Sequence, residues 1–118
     1  MAKGAIFIGW GEPFPTYREK ALKVFSEAMQ FNKRLQQQGE IDSFEPVILD
    51  YHGGDLSGFT LLRGDRDKLS RLRTNPEFMS LIVKCALVVK DVGVIDAFNG
   101  DAAEARIADY QKQMLSVG

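Results

Sequence analysis

The sequence contains very few residues of the kinds that form cross-links or hold metals. Cys85 is its only cysteine and His52 its only histidine. One thiol cannot close an intramolecular disulfide, and one cysteine, one histidine and scattered carboxylates do not make an ordinary zinc site. A lone cysteine in an apolar run is most often a small buried hydrophobic residue. The sequence therefore predicts no disulfide, no metal and no cofactor.

The chain also lacks an excess of either charge and any long apolar segment. It has 15 Lys and Arg against 16 Asp and Glu, and its formal net charge is -1. A nucleic-acid-binding domain normally shows a basic face, so we expect no nucleic-acid partner. The longest apolar run, Cys85 to Val89, is far below the roughly 20 residues of a membrane span. The segment 1–4 has no apolar stretch typical of a signal peptide, so a cytoplasmic protein without membrane contact is expected.

What is present fits one globular domain over residues 1–118. The chain is 45% hydrophobic and 26% charged, which is ordinary globular composition. Its length is near the commonest domain size and allows a real core. The sequence shows no internal repeats, low-complexity stretches or linkers. We therefore treat it as a single folding unit.

Hydrophobic periodicity predicts a strand and then a helix in the first third. The run Ala5–Trp10 is apolar on both parities, which indicates a central strand covered on both faces. The segment Thr16–Gln38 has apolar residues at helical spacing. Thr16 and Glu19 fit a capping box at its start, and Gly39 is well placed as its stop. This helix should pack on a sheet.

The segment 43–64 predicts a β-hairpin with a glycine-rich turn. The first strand is expected to run as far as His52, directly before the turn. We place His52 opposite Gly58 and Asp50 opposite Thr60, because that register keeps one apolar face intact. Asp50, His52 and Thr60 then share the other face of the hairpin.

The last part of the chain predicts two helices, a strand over 92–98 and a final helix over 102–115. Side chains able to accept hydrogen bonds from free backbone N–H groups precede each helix. These are Asp65 or Asp67 for a short first helix, Asn75 with Pro76 for the second, and Asp101 with Glu104 for the last.

This order of elements, β-α-β-β-α-β with an extra C-terminal helix, is the ferredoxin-like α+β pattern. It predicts a four-stranded antiparallel sheet with helices on one face. Together with Thr74-Asn-Pro-Glu-Phe78 at a helix start and the strand from Asp91 to Phe98, it resembles the dimeric α+β-barrel superfamily. That superfamily includes antibiotic-biosynthesis-type monooxygenases and small stress or degradation proteins. The resemblance covers nearly the whole chain. It implies two sheets packed face to face across a two-fold axis, with a pocket in each subunit.

Both faces of the predicted sheet carry apolar side chains, which has a consequence for assembly. We expect the helices to cover one set: Phe7, Leu49, Tyr51, Phe59, Leu61 and Ile95. The opposite face then carries the other set: Ile6, Ile8, Trp10, Ile48, Leu62, Val94 and Phe98. An apolar face of this size rarely meets water in a soluble monomer, so we predict a homodimer through it. The alternative is a monomer in which the C-terminal helix folds back over this face.

Polar residues on that second face suggest a small-molecule site, because polar groups within an apolar concavity are its usual form. His52 can act as an acid or base near neutral pH, and a carboxylate can orient it. Some branches of the superfamily that the chain resembles use a His–Asp pair. We predict catalytic roles for His52 and Asp50. We predict substrate-binding roles for four further residues: Trp10, Thr60, Asp96 and Phe98.

Each of these residues also has a structural alternative. His52 before two glycines can simply bind loop backbone, and Asp50 can guard a sheet edge against pairing. Asp96 can accept a hydrogen bond across a dimer, and Trp10 can belong to the core or the interface. Two functions therefore remain. One is a cofactor-independent monooxygenase- or isomerase-like enzyme on a small apolar or aromatic molecule. The other is a non-catalytic ligand-binding or dimerisation module.

Overall fold

A computed structural model describes residues 2–118, and Met1 lies outside it. Its four strands form one antiparallel sheet in the order β2-β3-β1-β4. The strands are β1 (Lys3–Trp10), β2 (Ser43–Ile48), β3 (Gly58–Asp65) and β4 (Gly93–Ala97). The helices are α1 (Arg18–Gln37), α2 (Arg66–Leu72), α3 (Pro76–Val88) and α4 (Gly100–Val117). The predicted ferredoxin-like fold with an extra C-terminal helix is confirmed.

The helix starts follow the capping chemistry in two places and depart from it in two others. Asn75 accepts hydrogen bonds from the N–H groups of Glu77 and Phe78, at 2.9 and 3.1 Å. Asp65 accepts one from the N–H of Lys68 at 3.1 Å. The Asn75 cap was predicted, and of the two candidates named for the short helix, Asp65 and Asp67, it is Asp65 that caps it. The capping boxes predicted for α1 and α4 are wrong, since neither helix has a side-chain cap bond. In α1 the reason is local, because a short 3-10 turn over Pro15–Tyr17 takes in Thr16.

The prediction of which sheet face the helices cover is wrong. The core between sheet and helices contains Ile6, Ile8, Leu62 and Val94. Residues from α1, α2 and α3 complete it: Phe31, Leu35, Leu69, Leu72, Phe78 and Leu81. Ile6 and Leu62 are paired on neighbouring strands and are the largest fully buried side chains. The opposite face, with Phe7, Phe59, Leu61 and Ile95, is left uncovered by the helices.

The predicted hairpin register is also wrong. Gly58 pairs with Ile48 rather than His52, and Thr60 pairs with Pro46 rather than Asp50, a shift of four residues. The strand ends earlier because the chain from 49 to 57 closes on itself. Its ends are held by a hydrogen bond of 2.9 Å from the N–H of Leu49 to the carbonyl of Ser57. Because side chains alternate between the two faces, a shift by four residues, an even number, leaves each side chain on the same face relative to β3.

Helix α4 contains no buried residue. It therefore does not provide the cover over the uncovered sheet face that the monomeric alternative required. The radius of gyration is 16.2 Å, whereas a compact chain of this length would have about 13.5 Å. Helix α4 projects away from the rest of the fold.

Candidate functional site

The sheet face turned away from the helices, called the open face below, is the main candidate surface. Its pairing places Glu45, Leu61, Phe7 and Ile95 in one row across the four strands. The next row is Val47, Phe59, Gly9 and Gly93. Ile95 is 57% exposed even though it lies in a strand. The open face is thus apolar along its centre and has no cover from the helices.

Two aromatic rings and two glycines shape the middle of the open face. Phe7 stacks on Phe59 with ring centroids 4.9 Å apart and planes 26° apart. A Cβ atom on Gly9 would lie 2.6 Å from Cε1 of Phe7, so the ring of Phe7 occupies the space that a side chain at Gly9 would need. Nothing lies within 4 Å of the Cβ position of Gly93. The side-chain position of Gly93, on the edge strand, is therefore open space.

The 49–57 loop borders the open face at the end of β1. Cδ1 of Leu56 lies 3.1 Å from the Cβ position of Gly9, so this side chain reaches over the glycine on the open face. The N–H of Ser57 donates to the carbonyl of Trp10 at 2.8 Å and fixes the loop to the end of the strand. The loop is consequently a rim of the open face and not part of the sheet.

His52 lies in this loop and binds the loop's own backbone. Its Nδ1 accepts a hydrogen bond from the N–H of Gly54 at 3.2 Å. Because Nδ1 is an acceptor, Nε2 carries the proton, and it donates to the carbonyl of Leu56 at 2.8 Å. Both ring nitrogens are thus occupied within five residues of chain. This is the backbone-binding alternative that the sequence left open for His52.

The two residues before His52 are exposed. Asp50 is exposed, and its side chain forms no hydrogen bond or ion pair with any residue in the described range 2–118. Tyr51 is 99% exposed, which is unusual for an aromatic side chain held in a well-anchored loop. The predicted pairing of Asp50 with His52 through one strand does not occur, since neither residue is in a strand.

Thr60 and Trp10 lie on the helix side of the sheet. Thr60 is buried between Pro46 and Ile8 on the neighbouring strands. Trp10 packs edge-to-face against Phe25 of α1, with ring centroids 5.8 Å apart. These two side chains belong to the layer between sheet and helices. The alternative reading of Trp10 as a core residue agrees with this packing.

Asp96 and Phe98 lie at the far edge of the sheet, in and directly after β4. Asp96 accepts a hydrogen bond from Nη1 of Arg73 at 2.8 Å, while Nη2 of Arg73 donates to the carbonyl of Val94 at 3.0 Å. This arginine ties the segment between α2 and α3 to β4. Phe98 lies beneath the guanidinium of Arg106, whose carbon is 4.4 Å from the ring centroid. Asp96 is therefore engaged within its own subunit.

The six predicted site residues occupy different parts of the molecule. Asp50 and His52 lie in the rim loop, Thr60 and Trp10 face the helices, and Asp96 and Phe98 lie near the β4 edge. The sequence did not predict that Phe7 and Phe59 lie on the uncovered face of the sheet. The alternation of apolar residues along β1 and β3 contained that signal, but it was assigned to the helix side.

Other chemistry is limited in the described part of the chain. Between residues 2 and 118, no group of three or more His, Cys, Asp or Glu side chains could hold a metal ion. Within the same range, no helix is both long enough and apolar enough to cross a bilayer. Burial raises the pKa of the Cys85 thiol, and the nearby carboxylate of Glu27 raises it further. A protonated thiol is a poor nucleophile, so Cys85 fits its predicted structural role.

The fold and the open face together define a ferredoxin-like α+β protein with an uncovered apolar sheet. No protein-family model and no curated protein matches the sequence. Solved structures do share the fold. One is a dimeric ferredoxin-like protein of unknown function from Jannaschia sp. CCS1, with TM-score 0.62 and 15% identity over 81% of this chain and 99% of that one.

Two further structures are similar. A dimeric protein of unknown function and ferredoxin-like fold from Bacteroides fragilis has TM-score 0.59 and 13% identity, over 80% of this chain and 94% of that one. SnoaB from Streptomyces nogalater, a cofactor-independent oxygenase, has TM-score 0.54 and 16% identity, over 84% and 95% of the two chains. The predicted resemblance is confirmed at the level of the fold.

Proposed function

We propose that this chain acts as a homodimer that holds a small apolar or aromatic molecule between two open faces. The observation that carries the proposal is the uncovered centre of the open face, with the stacked Phe7 and Phe59 beside Leu61 and Ile95. Apolar area that water can reach favours association when a matching surface is present. A second copy of the same face provides that surface.

A symmetric dimer would use every open-face residue twice. In a two-fold interface the same patch meets itself, so one substitution changes both sides. The row formed by Leu61, Phe7 and Ile95 would supply the apolar contact. The missing side chain at Gly93 would leave a small space between the two copies. The dimeric state described for two of the similar structures supports a homodimer.

The experiment for the dimer compares two surface substitutions. Ile95→Glu places a charge in the centre of the proposed interface, and burying an unpaired charge is strongly unfavourable. Leu22→Glu is the matched control, because Leu22 is also an exposed apolar residue, 73% exposed, but lies on α1. Sedimentation velocity should show a dimer for the wild type and for Leu22→Glu, and a monomer for Ile95→Glu. A dimeric Ile95→Glu variant would contradict the proposed interface.

The experiment for the ligand uses thermal stability. A molecule that binds only the folded protein raises its melting temperature, by an amount that grows with ligand concentration. We expect some small aromatic metabolites or quinones to do so for the wild type. Gly93→Val adds a side chain where nothing lies within 4 Å, and should fill the space proposed for the ligand and remove the shift. If no compound in the panel raises the melting temperature of the wild type, the proposed ligand is refuted and dimerisation alone remains as the function.

An enzyme of the cofactor-independent oxygenase kind is the second candidate. It is favoured by the position of the 49–57 loop, which brings His52 and Asp50 to the rim of the open face. The fold shared with SnoaB is compatible with it, although a fold hosts many functions. In this candidate, Asp50 and His52 manage protons at a ligand held between the two sheets, and no cofactor is needed. His52 must first release Gly54 or Leu56 from one of its ring nitrogens.

Oxygen uptake on a panel of electron-rich phenols tests the second candidate. His52→Ala and Asp50→Asn should each lower turnover while the protein remains dimeric. Leu56→Ala is the control, because it weakens the attachment of the loop but retains both candidate groups. Equal turnover in the His52 variant and the wild type would rule out a catalytic histidine.

A further inference from the structure

Helix α4 carries an apolar stripe with alternating spacing of four and three residues. We call this the α4 stripe, and it consists of Ala103, Ile107, Tyr110, Met114 and Val117. Steps of four and three repeat every seven residues, which is the spacing at which two helices pack side by side with interlocking side chains. A surface helix that packs only on its own domain does not need this regularity to continue to its last residue.

The α4 stripe has no partner within its own chain. Ile107, Tyr110, Met114 and Val117 are all exposed, and no residue of the helix is buried. The helix follows the edge strand β4 directly, with Asn99 at its N-cap. Apolar residues at regular spacing are therefore held in water on a helix of 18 residues.

We propose that the α4 stripe packs against the α4 stripe of a second copy of this chain, within the dimer proposed above. This inference rests on the proposed homodimer and adds a second contact to it. A helix of 18 residues spans about two and a half heptads, fewer than the roughly three to four over which a coiled-coil pattern is normally sustained. Attachment to a dimer formed by the sheets raises the effective concentration of the two helices and removes that difficulty.

The area of the open face supports the need for a second contact. Strands of 8, 6, 8 and 5 residues, at about 3.3 Å per residue and about 4.8 Å between strands, make a face of roughly 430 Å². A stable interface buries about 800 Å² on each partner. An 18-residue helix is about 27 Å long and about 10 Å wide, so it adds roughly 270 Å² per copy. The two surfaces together come to roughly 700 Å² per copy, within the range of about 600 to 1,000 Å² per partner for a stable interface.

The residues flanking the α4 stripe allow two copies to meet. They are Glu104, Arg106, Gln111 and Gln113, which contain one charge of each sign and two neutral amides. No row of like charges would therefore oppose its copy. A membrane surface is a poorer partner, because helices that lie on membranes are rich in Lys and Arg on their polar face. Helix α4 has two basic residues, Arg106 and Lys112, against three acidic ones.

The experiment compares two neighbouring residues of α4. Met114 lies in the α4 stripe, and Leu115 is an equally apolar residue that is more exposed, 84% against 61%, but lies outside the stripe. Met114→Ser should weaken the dimer by about tenfold or more, because a buried apolar side chain is removed from both copies. Leu115→Ser should leave the dissociation constant within about twofold of the wild type. Sedimentation equilibrium over a dilution series measures both.

Cross-linking identifies the partner of the helix. Tyr110→Cys, in a Cys85→Ala background, places one thiol near the middle of the α4 stripe, and Lys112→Cys places it on the outer side of the helix. A short bismaleimide should join two copies of the Tyr110 variant and not of the Lys112 variant. Equal cross-linking of both variants, or of neither, would overturn the proposal.

The outcomes separate this inference from the proposed function. If Ile95→Glu is monomeric but Met114→Ser dimerises like Leu115→Ser, the sheet interface stands and the α4 contact is refuted. If Met114→Ser weakens the dimer but Ile95→Glu does not, the α4 contact stands and the sheet interface is refuted. A wild-type protein that remains monomeric at every concentration refutes both.

Discussion

Leu61 and Leu62 are adjacent residues of β3 with side chains on opposite faces of the sheet, and they give the sharpest check on the fold. Leu62 is fully buried in the core among Ile6, Phe31 and Leu35. Leu61 is half-buried on the open face, where it pairs with Phe7 and Glu45. Truncating each to alanine removes the same atoms from the same strand. Only the environment of the side chain differs between the two variants.

The expected magnitudes follow from burial. Leu62→Ala leaves a cavity in a core that cannot fully collapse, which costs about 3 to 5 kcal/mol of the free energy of unfolding. A chain of this size has roughly 6 to 18 kcal/mol in total, so the loss is a large fraction. It corresponds to a decrease in Tm of about 10 to 20 °C. In one isolated subunit, Leu61→Ala removes only partial burial and costs about 1 kcal/mol.

The two variants should also respond differently to protein concentration. If the open face is a dimer interface, dissociation accompanies unfolding, and the effect of Leu61→Ala changes with concentration by mass action. The effect of Leu62→Ala arises within each subunit and should be the same at all concentrations. Urea unfolding followed by circular dichroism, at protein concentrations differing by a hundredfold, measures both quantities.

The assignment of the sheet faces is refuted if Leu61→Ala destabilises the protein as much as Leu62→Ala does. A Leu61→Ala variant that loses as much stability as Leu62→Ala, without dependence on concentration, would mean that the helices cover the Phe7 and Phe59 face. That was the arrangement predicted from the sequence. An unchanged m-value in both variants is the control, because it shows that neither substitution altered the unfolded state.

Three further predictions concern single side chains. Asn75→Ala should lower the free energy of unfolding by about 1 kcal/mol, because two N–H groups of α3 lose their acceptor. Asn75→Asp should retain most of the wild-type stability, because aspartate can accept the same bonds; the urea midpoints of the two variants compare them. Cys85 should react with iodoacetamide more slowly in the folded protein than in urea, since its raised pKa keeps the thiol protonated. Because the thiol pKa is higher in the folded than in the unfolded protein, the free energy of unfolding should fall as the pH rises above about 9, the ordinary thiol pKa. Cys85→Ala should lack this contribution, and identical pH profiles of stability for the variant and the wild type would disprove it. His52→Ala should make the 49–57 loop easier to cleave by proteases, because the bonds to Gly54 and Leu56 are lost; unchanged cleavage would show that these bonds do not hold the loop.

Local chemistry predicted most of the fold correctly. The element order, the stop of α1 at Gly39 and the caps at Asp65 and Asn75 depend on a few neighbouring residues, which the sequence displays directly. The caps predicted at Thr16 and Asp101 were wrong because of other local preferences. The chain near each took another local conformation, a 3-10 turn in one case and a helix start at Gly100 in the other.

The candidate site was less predictable, because it depends on contacts between distant segments. The pair of His52 with Asp50 required a strand that continues to the glycines. Instead, His52 lies in a loop, where it binds the N–H of Gly54 and the carbonyl of Leu56, and the strand ends four residues earlier than predicted. From the sequence, Asp96 was expected to bind substrate or to accept a hydrogen bond across a dimer. Only the position of Arg73, 23 residues away, shows that it is paired.

The sequence by itself determined that this protein has a ferredoxin-like α+β fold with apolar side chains on both faces of its sheet. Only the tertiary structure decided which face the helices cover. The alternation of β1 and β3 is apolar on both parities, so hydrophobicity favours neither side. The packing of Ile6 and Leu62 against Phe31 and Phe78 makes that choice. It leaves Phe7, Phe59 and Ile95 uncovered, because three helices can bury one face of the sheet and the fourth helix projects away from it.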